Sequence, residues 1–337
     1  MLKEQSRTSW TNWHHDLHKE FLNNKELIPS ESNLLIAVSG GQDSMALLHL
    51  LNDMKHLHNW TIDVWHGNHN WHEQSVHFAK ELSDFCGKKE INFHLDIANK
   101  LMISSEEKAR KWRYDKLHKK AKELKIKRNL TNNFVVITGH TSTDNVETFF
   151  LNLARGSNYA GLGCIKKTST LNHNYHLVRP LLIFSRDDTA AICKSLDIPI
   201  WEDPTNLDMK INRNLIREQI MPKLEKIYPG CTCRINHFIE KMNNYSNEQS
   251  DLSELALIAC TKNNQINRKL FNSMGKEARS TLINKAIKKK CIKQISSKNL
   301  SIICEEIFHK NNGEIDLPED IKISWKKNLI SFKKLIS

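Results

Sequence analysis

The 337-residue chain contains no run approaching the roughly 18 apolar residues of a membrane-spanning helix, and its opening stretch, MLKEQSRTSW, has no apolar core of a secretory signal. Its eight cysteines (Cys86, Cys164, Cys193, Cys231, Cys233, Cys260, Cys291 and Cys304) lack the dense spacing of a disulfide framework. No internal repeat and no long low-complexity segment is visible. These absences lead to the expectation of a soluble, cytoplasmic protein with reduced thiols and no membrane partner. Negative charge is the scarcer sign: 38 Asp and Glu stand against 50 Lys and Arg, a formal net charge of +12 before the 17 histidines are considered. Such an excess points to a polyanionic partner, although it would also serve solubility alone.

The length suits an α/β domain followed by a smaller one. Trp10, Trp13, Leu17 and Phe21 recur at helical spacing, which predicts an amphipathic first helix. LLIAV (34–38), TIDVW (61–65), INFHL (91–95) and FVVIT (134–138) are short β-rich runs with helical stretches between them. This alternation predicts an α/β fold, a parallel sheet with helices on both faces. Ligands of such sheets sit beyond the carboxyl ends of the strands, here after Val38, Trp65 and Thr138. The pattern fades near MPKLEKIYPG, with its two prolines and a glycine, so the expected domains are 1–220 and 221–337. The second is lysine-rich and mostly helical, with KAIKKKCIK (285–293) as its most basic run, and closes in IDLPEDIKISWKKNLISF, which reads as short strands with a turn.

One further absence is specific. In LLIAVSGGQDS (34–44) a strand runs into a Gly-Gly turn that opens a helix, so successive backbone N–H groups converge on one spot suited to phosphate. A Walker A loop would place a lysine after its last glycine, and none is here. Ser39 and Ser44 can add hydroxyl donors. Asp43 would repel phosphate directly, so its expected task is to hold Mg²⁺, which binds through one or two carboxylates plus phosphate oxygens. The same residues would also make a plain capped helix, with Ser39 as N-cap.

SGGQDS (39–44) resembles the PP-loop signature of the ATP pyrophosphatases. That resemblance implies an adenine nucleotide alpha hydrolase-like fold, ATP bound by Ser39, Gly40, Gly41, Gln42, Asp43 and Ser44, and cleavage between the α and β phosphates. The missing lysine then has a reason, because the loop holds the departing pyrophosphate. The loop alone would leave NAD synthetases, GMP synthetases, argininosuccinate synthases and several tRNA-modifying enzymes open. EEKARKWRY (106–114), TGHTSTDNVETFFLNLARGSNYAGLG (138–163), RPLL (179–182), EDPTN (202–206) and RNLIREQIMPKL (213–224) follow in order. Together they resemble the tRNA(Ile)-lysidine synthase family across nearly all of residues 30–230. This implies an ATP-dependent ligase that adenylates the carbonyl oxygen of the wobble cytidine in the CAU anticodon of an isoleucine tRNA. The ε-amine of free L-lysine then displaces AMP, and decoding changes from AUG to AUA. ATP, Mg²⁺, the tRNA and lysine are the implied cofactors and partners, and a homodimer is left open.

The motif residues have chemical reasons of their own. Asp144 and Glu147 are three apart on a predicted helix and so share a face. The resemblance places both in the active site, Asp144 suited to join Asp43 at Mg²⁺ and Glu147 to receive the ammonium groups of lysine. They would also satisfy a D-x-x-E capping box. Arg110 and Arg113, likewise three apart, would aim at an anion, whether ATP phosphate, lysine carboxylate or tRNA backbone, unless they form a solvated basic face. His140 follows the fourth strand and is expected to meet phosphate or RNA, or to be structural. Arg213, Asn214 and Arg217 read as tRNA contacts. The lysines of 285–293 would add salt-sensitive affinity or simply form a solvated helix face.

Two stretches depart from the family pattern. Where the family reads like VNHGLR, this chain has WHGNHNWHEQS (65–75), with His66, His69 and His72 at every third residue. That spacing invites a metal reading, but no nearby cysteine or acidic residue completes a convincing site, and the altered loop still fits around ATP. Cys231 and Cys233 form C-x-C, not the C-x-x-C of related iron–sulfur tRNA thiolases, which makes thiolation the weaker branch. Another PP-loop synthetase acting on a small molecule, or a non-catalytic RNA-binding module, are the remaining alternatives. Longer family members carry extra C-terminal domains, of which this chain resembles a shortened version.

Overall fold

The four apolar runs are four strands, β1 (Asn33–Ala37), β2 (Thr61–Asn68), β3 (Asn92–Ile97) and β4 (Phe134–Thr138), joined later by β5 (Thr168–Leu171) and β6 (Tyr175–Val178). The structure is a computed structural model that describes residues 10–71, 74–99, 106–129, 133–157, 159–171, 175–201, 211–290 and 295–334. The strands make one sheet in the order β3-β2-β1-β4-β6-β5, parallel throughout except for β5. Alternation along the strands sends successive side chains to opposite faces. Leu34, Ile36, Val64, Val135 and Ile137 pack on one side, and Leu35, Trp65, Phe134 and Val136 on the other.

Helices cover both faces. On the first lie α1 (Asn12–Asn23), α2 (Gln42–His58), α3 (Gln74–Lys88) and a later helix, Arg186–Ser195, which is α7 in chain order. On the second lies α4 (Glu106–Lys127), through Leu117, Ala121 and Leu124. Helices α5 (Ser142–Ala154) and α6 (Tyr159–Leu162) follow β4. In α1, Leu17 and Phe21 are buried and Trp13 packs on the core, whereas Trp10 lies outside the helix and stacks on His14.

Past the sheet come α8 (Asn212–Leu215), a π-helical stretch Ile216–Ile220, α9 (Met221–Ile227) and the long α10 (Cys231–Cys260). The chain divides into two compact units, Met1–Asn243 and Asn244–Ser337, so the first reaches beyond the expected boundary at 220. The reason is packing: Met221, Leu224, Ile235 and Ile239 close over Val146 and Phe149 of α5. Asn243 also donates to the Gly163 carbonyl at 2.6 Å.

In the second unit, β7 (Thr261–Lys262), β8 (Gln265–Asn267), β9 (Asn312–Leu317), β10 (Ile321–Lys326) and β11 (Leu329–Lys334) form an antiparallel sheet in the order β7-β8-β11-β10-β9. Helices α11 (Arg268–Asn272), α12 (Lys276–Lys288) and α13 (Ser297–His309) complete its core with Phe271, Ile283, Ile307, Ile323 and Ile330. Buried Arg268 donates to the carbonyls of Ile307, Asn311 and Lys327 at 2.8, 2.9 and 3.1 Å, which ties the helices to the sheet edge. No described helix is long and apolar enough to cross a membrane.

Candidate active site

The sheet order reverses between β1 and β4, and the chain leaves both strands toward the same crevice, the topological switch point where α/β sheets bind ligands. After β1 the loop Ser39–Gly41 leads into α2. Gly40 has φ +94°, a conformation that L side chains rarely adopt, and a Cβ there would lie 3.3 Å from Trp201. The Trp201 amide donates to the Gly40 carbonyl at 2.9 Å, which fixes the turn from the far side. Inside the loop the Ser39 amide donates to Ser44 Oγ at 3.1 Å, and Ser44 Oγ donates to the Gly41 carbonyl at 2.9 Å. Gly41 is the N-cap of α2 and makes no side-chain cap bond, so the positive end of that helix faces the crevice, as a phosphate site requires.

The second loop approaches closely because Gly139 lacks a Cβ. One added there would stand 3.2 Å from Asp43 O and from Ser44 N and Cα. This contact brings β4 and α5 against the first turn of α2. His140 Nδ1 lies 3.0 Å from Thr138 Oγ1, and burial holds the imidazole well below the usual histidine range, so it is uncharged at neutral pH. Helix α5 is capped by Thr141, whose Oγ1 accepts from the Asp144 amide while Asp144 Oδ2 accepts from the Thr141 amide at 2.8 Å. The capping box is therefore Thr141–Asp144, one turn earlier than the Asp144–Glu147 box expected from sequence.

The other oxygen of Asp144, Oδ1, accepts from Arg213 Nη2 at 2.7 Å. Glu147 is fully buried and accepts from Arg213 Nε at 2.6 Å and from Arg217 Nε and Nη2 at 2.6 and 2.9 Å. Arg213, Asn214 and Arg217 read from their residue types as tRNA contacts. The structure instead turns both arginines onto the acidic pair of α5 and buries Asn214. Burial alone would raise the Asp144 pKa, but Arg213, the Thr141 amide and Arg217 outweigh it and hold the carboxylate ionised below its ordinary range.

Asp43 points the opposite way in charge balance. Burial and then the Asp144 charge push its pKa up, against hydrogen bonds from Thr189 and Gln42 and the Arg186 charge. Arg186 Nη1 reaches Asp43 Oδ2 at 3.1 Å, and the Thr189 hydroxyl donates to Oδ1. The Gln42 side chain is turned to α7, donating to the Arg186 carbonyl at 2.8 Å and to Thr189 Oγ1 at 3.0 Å. Arg186 and Thr189 escaped the sequence reading, since they lie about 145 residues from Asp43 in no recognisable spacing. The only sequence cue was that they follow RPLL.

Arg110 and Arg113 are on the exposed side of the first turns of α4, where the Arg110 guanidinium lies 5.4 Å from the Tyr114 ring and its charge acts on His140. His66 Nδ1 is 2.8 Å from the Val38 carbonyl and His69 stacks on Trp71, so these histidines do not converge. His72 and EDPTN (202–206) lie outside the described residues. Among the described residues no group of three His, Cys, Asp or Glu is arranged to hold a metal. Cys231 is buried and Cys233 exposed on α10, on different faces.

A family model for the PP-loop domain matches residues 13–224. The tRNA(Ile)-lysidine synthase of Prochlorococcus marinus subsp. pastoris is 56% identical over 332 residues, 98% of this chain and 99% of that protein. The enzyme of the same name from Prochlorococcus marinus strain SARG is 39% identical, covering 95% of this chain and 96% of its own. The chain thus matches these relatives nearly end to end. Among solved structures, the U34-tRNA thiolase NcsA from Methanococcus maripaludis superposes with a TM-score of 0.54 at 17% identity, over 68% of this chain and 80% of that one, which shows a shared fold.

Proposed function

The chain belongs to the tRNA(Ile)-lysidine synthase family of PP-loop enzymes, and from that premise we propose that it joins free lysine to the wobble cytidine of a CAU-anticodon isoleucine tRNA at the expense of ATP. The observation that carries this reading is the meeting, at one switch point, of a lysine-free phosphate loop with a buried set of carboxylates, guanidinium groups and an uncharged imidazole.

The loop amides from Ser39 to Asp43 and the hydroxyls of Ser39 and Ser44 would hold the β and γ phosphates. The cytidine carbonyl oxygen attacks the α-phosphorus, the α–β bond breaks, and pyrophosphate leaves into the loop. Lysine Nε then attacks the ring carbon bearing the adenylated oxygen, AMP departs, and the nitrogen loses a proton. His140, uncharged and with Nδ1 engaged by Thr138, would act as a neutral hydrogen-bonding partner, and its low basicity leaves that proton to pass to water. Arg213 and Arg217 would fix Asp144 and Glu147, and Glu147 would meet the lysine ammonium group in exchange for part of its guanidinium contact.

The Mg²⁺ fit is favourable. Asp43 is half-buried, and burial and then the Asp144 charge raise its pKa although Arg186 pairs with one of its oxygens, so two carboxylates act on each other on the phosphate-loop side. Asp43 and Asp144 would hold the ion, which would supply charge neutralisation at the leaving pyrophosphate. The Arg110 and Arg113 face would take tRNA phosphate, and the second unit is proposed to bind the body of the tRNA. The test is pyrophosphate release by purified protein with ATP, lysine and Mg²⁺: release that requires the isoleucine tRNA supports this reading, and equal release without it favours a small-molecule synthetase.

A further inference from the structure

The loop after β2 carries an aromatic group that the site described above does not use. His69 stacks on Trp71, with ring centroids 5.0 Å apart and planes 24° from parallel, and meets Trp112 of α4 edge-on at 5.1 Å. Beneath them Trp65, fully buried, lies 6.5 Å from Trp112 and is pinned through Nε1 to Asp96 Oδ2 at 2.9 Å. Only Trp65 is buried, whereas His69, Trp71 and Trp112 stay partly open to solvent over a floor of Ala98 and Ala109.

The rings are held before any ligand arrives. Buried Asn68 accepts from the Asn70 amide at 2.7 Å and donates to the Ser75 carbonyl at 3.1 Å, and its own carbonyl accepts from the Ala98 amide at 2.8 Å. Asn70 itself takes φ +55°, which turns the loop so that His69 and Trp71 stack. Rigid aromatic surface of this kind binds planar groups at little entropic cost. Arg110 and Arg113 lie two residues before and one residue after Trp112 and are exposed on the same turns of α4, so cations suited to phosphate are carried by the helix that supplies the ring.

From these observations we propose that His69, Trp71 and Trp112 form a stacking platform for one unpaired base of the tRNA anticodon loop, next to the reacting cytidine. Unstacked loop bases are held in this way by aromatic side chains with neighbouring cations. The platform stands at the carboxyl end of β2 toward β3, one strand from the phosphate loop after β1, close enough for a base beside the reacting cytidine. The proposal rests on the tRNA reading given above, and its test separates the two.

The experiment measures KM for tRNA, ATP and lysine in Trp71→Ala, Trp71→Phe and His69→Ala, with intact tRNA and with tRNAs abasic at single anticodon-loop positions. Loss of one base–aromatic stack raises tRNA KM roughly 5- to 100-fold in Trp71→Ala. KM for ATP and lysine stays unchanged, Trp71→Phe recovers most of the loss, and the Trp71→Ala effect vanishes on the one abasic tRNA that lacks the stacked base. A rise in ATP KM with tRNA KM unchanged would assign the rings to adenine and overturn the proposal. Unchanged values throughout would do the same and leave the rings as local packing. If wild-type protein transfers no lysine, fluorescence titration with the anticodon stem-loop still decides: a 5- to 100-fold weaker Kd in Trp71→Ala upholds the platform while the catalytic reading fails, and an equal Kd overturns it.

Discussion

Replacing Glu147 by alanine probes the arrangement on which the site depends. Glu147 is fully buried, and its two oxygens take three guanidinium hydrogen bonds of 2.6 to 2.9 Å from Arg213 and Arg217, arginines that are themselves mostly buried. Removing one partner of a buried ion pair leaves uncompensated charge and typically costs about 3–5 kcal/mol. Two guanidinium groups lose this partner at once, which places Glu147→Ala toward the upper end, although Arg213 keeps Asp144 at 2.7 Å and Arg217 at 3.6 Å and both contacts soften the loss. For a unit of this size each kcal/mol lowers Tm by about 2–4 °C, so the transition falls by roughly 6–20 °C. Thermal and urea unfolding of wild type, Glu147→Ala, Arg217→Ala and the double variant measure this. The double variant is expected to lose less than the sum of the singles, because without Glu147 the Arg217 guanidinium keeps only its longer 3.6 Å contact with Asp144. A Tm within about 1 °C of wild type for Glu147→Ala would refute the reasoning and return the arginines to an outward RNA-binding role.

Asp53 accepts from His14 at 3.2 Å and from His49 at 3.1 Å, bonds that outweigh burial and hold its pKa at about 2, against 3.8 ordinarily. Its folded-state value is lowered, so its contribution is present above the unfolded value and is lost as pH falls from about 4 toward 2. Asp53→Asn should therefore cost about 2 kcal/mol at pH 7, and urea unfolding should show the gap to wild type narrowing below pH 4; a constant gap would contradict this. Thr189→Val removes a donor that favours ionised Asp43. The acid limb of kcat/KM should then move to higher pH, whereas an unmoved limb would show that Asp43 is not the group titrating. Gly40→Ala places a Cβ at φ +94° and 3.3 Å from Trp201, so ATP KM should rise about tenfold or more with lysine KM unchanged, for a strain of about 1–3 kcal/mol.

The sequence carried the strand–turn–helix around Ser39 to Ser44 because backbone geometry there is local: apolar alternation, two glycines and a helix start all fall within eleven residues. FVVIT became β4 with the expected bounds, 134–138, for the same reason. Pairings that join distant segments were not legible. Arg213 lies 66 residues from Glu147, and nothing in its own neighbourhood distinguishes an ion-pair partner from an RNA contact. Thr189 reaches Asp43 only because α7 packs beside α2. The position of the capping box depended on where the chain turns after β4, and Thr141, three residues before Asp144, took the cap. The first unit passed 220 because the apolar residues of α9 and α10 complete the outer face of α5, a fit that appears only once the helices are placed. The final stretch was legible as short strands, but not its pairing with β7 and β8, which are two and three residues long.

The central claim is that the phosphate loop and the α5 carboxylates together transfer lysine to a tRNA. The direct measurement is incorporation of radioactive lysine into a CAU-anticodon isoleucine tRNA by purified protein with ATP and Mg²⁺, compared with Asp43→Ala. Labelling by wild type, at least about a hundredfold weaker in Asp43→Ala while tRNA binding is kept, is the predicted result. No labelling by wild type, or equal labelling by the variant, would contradict the account.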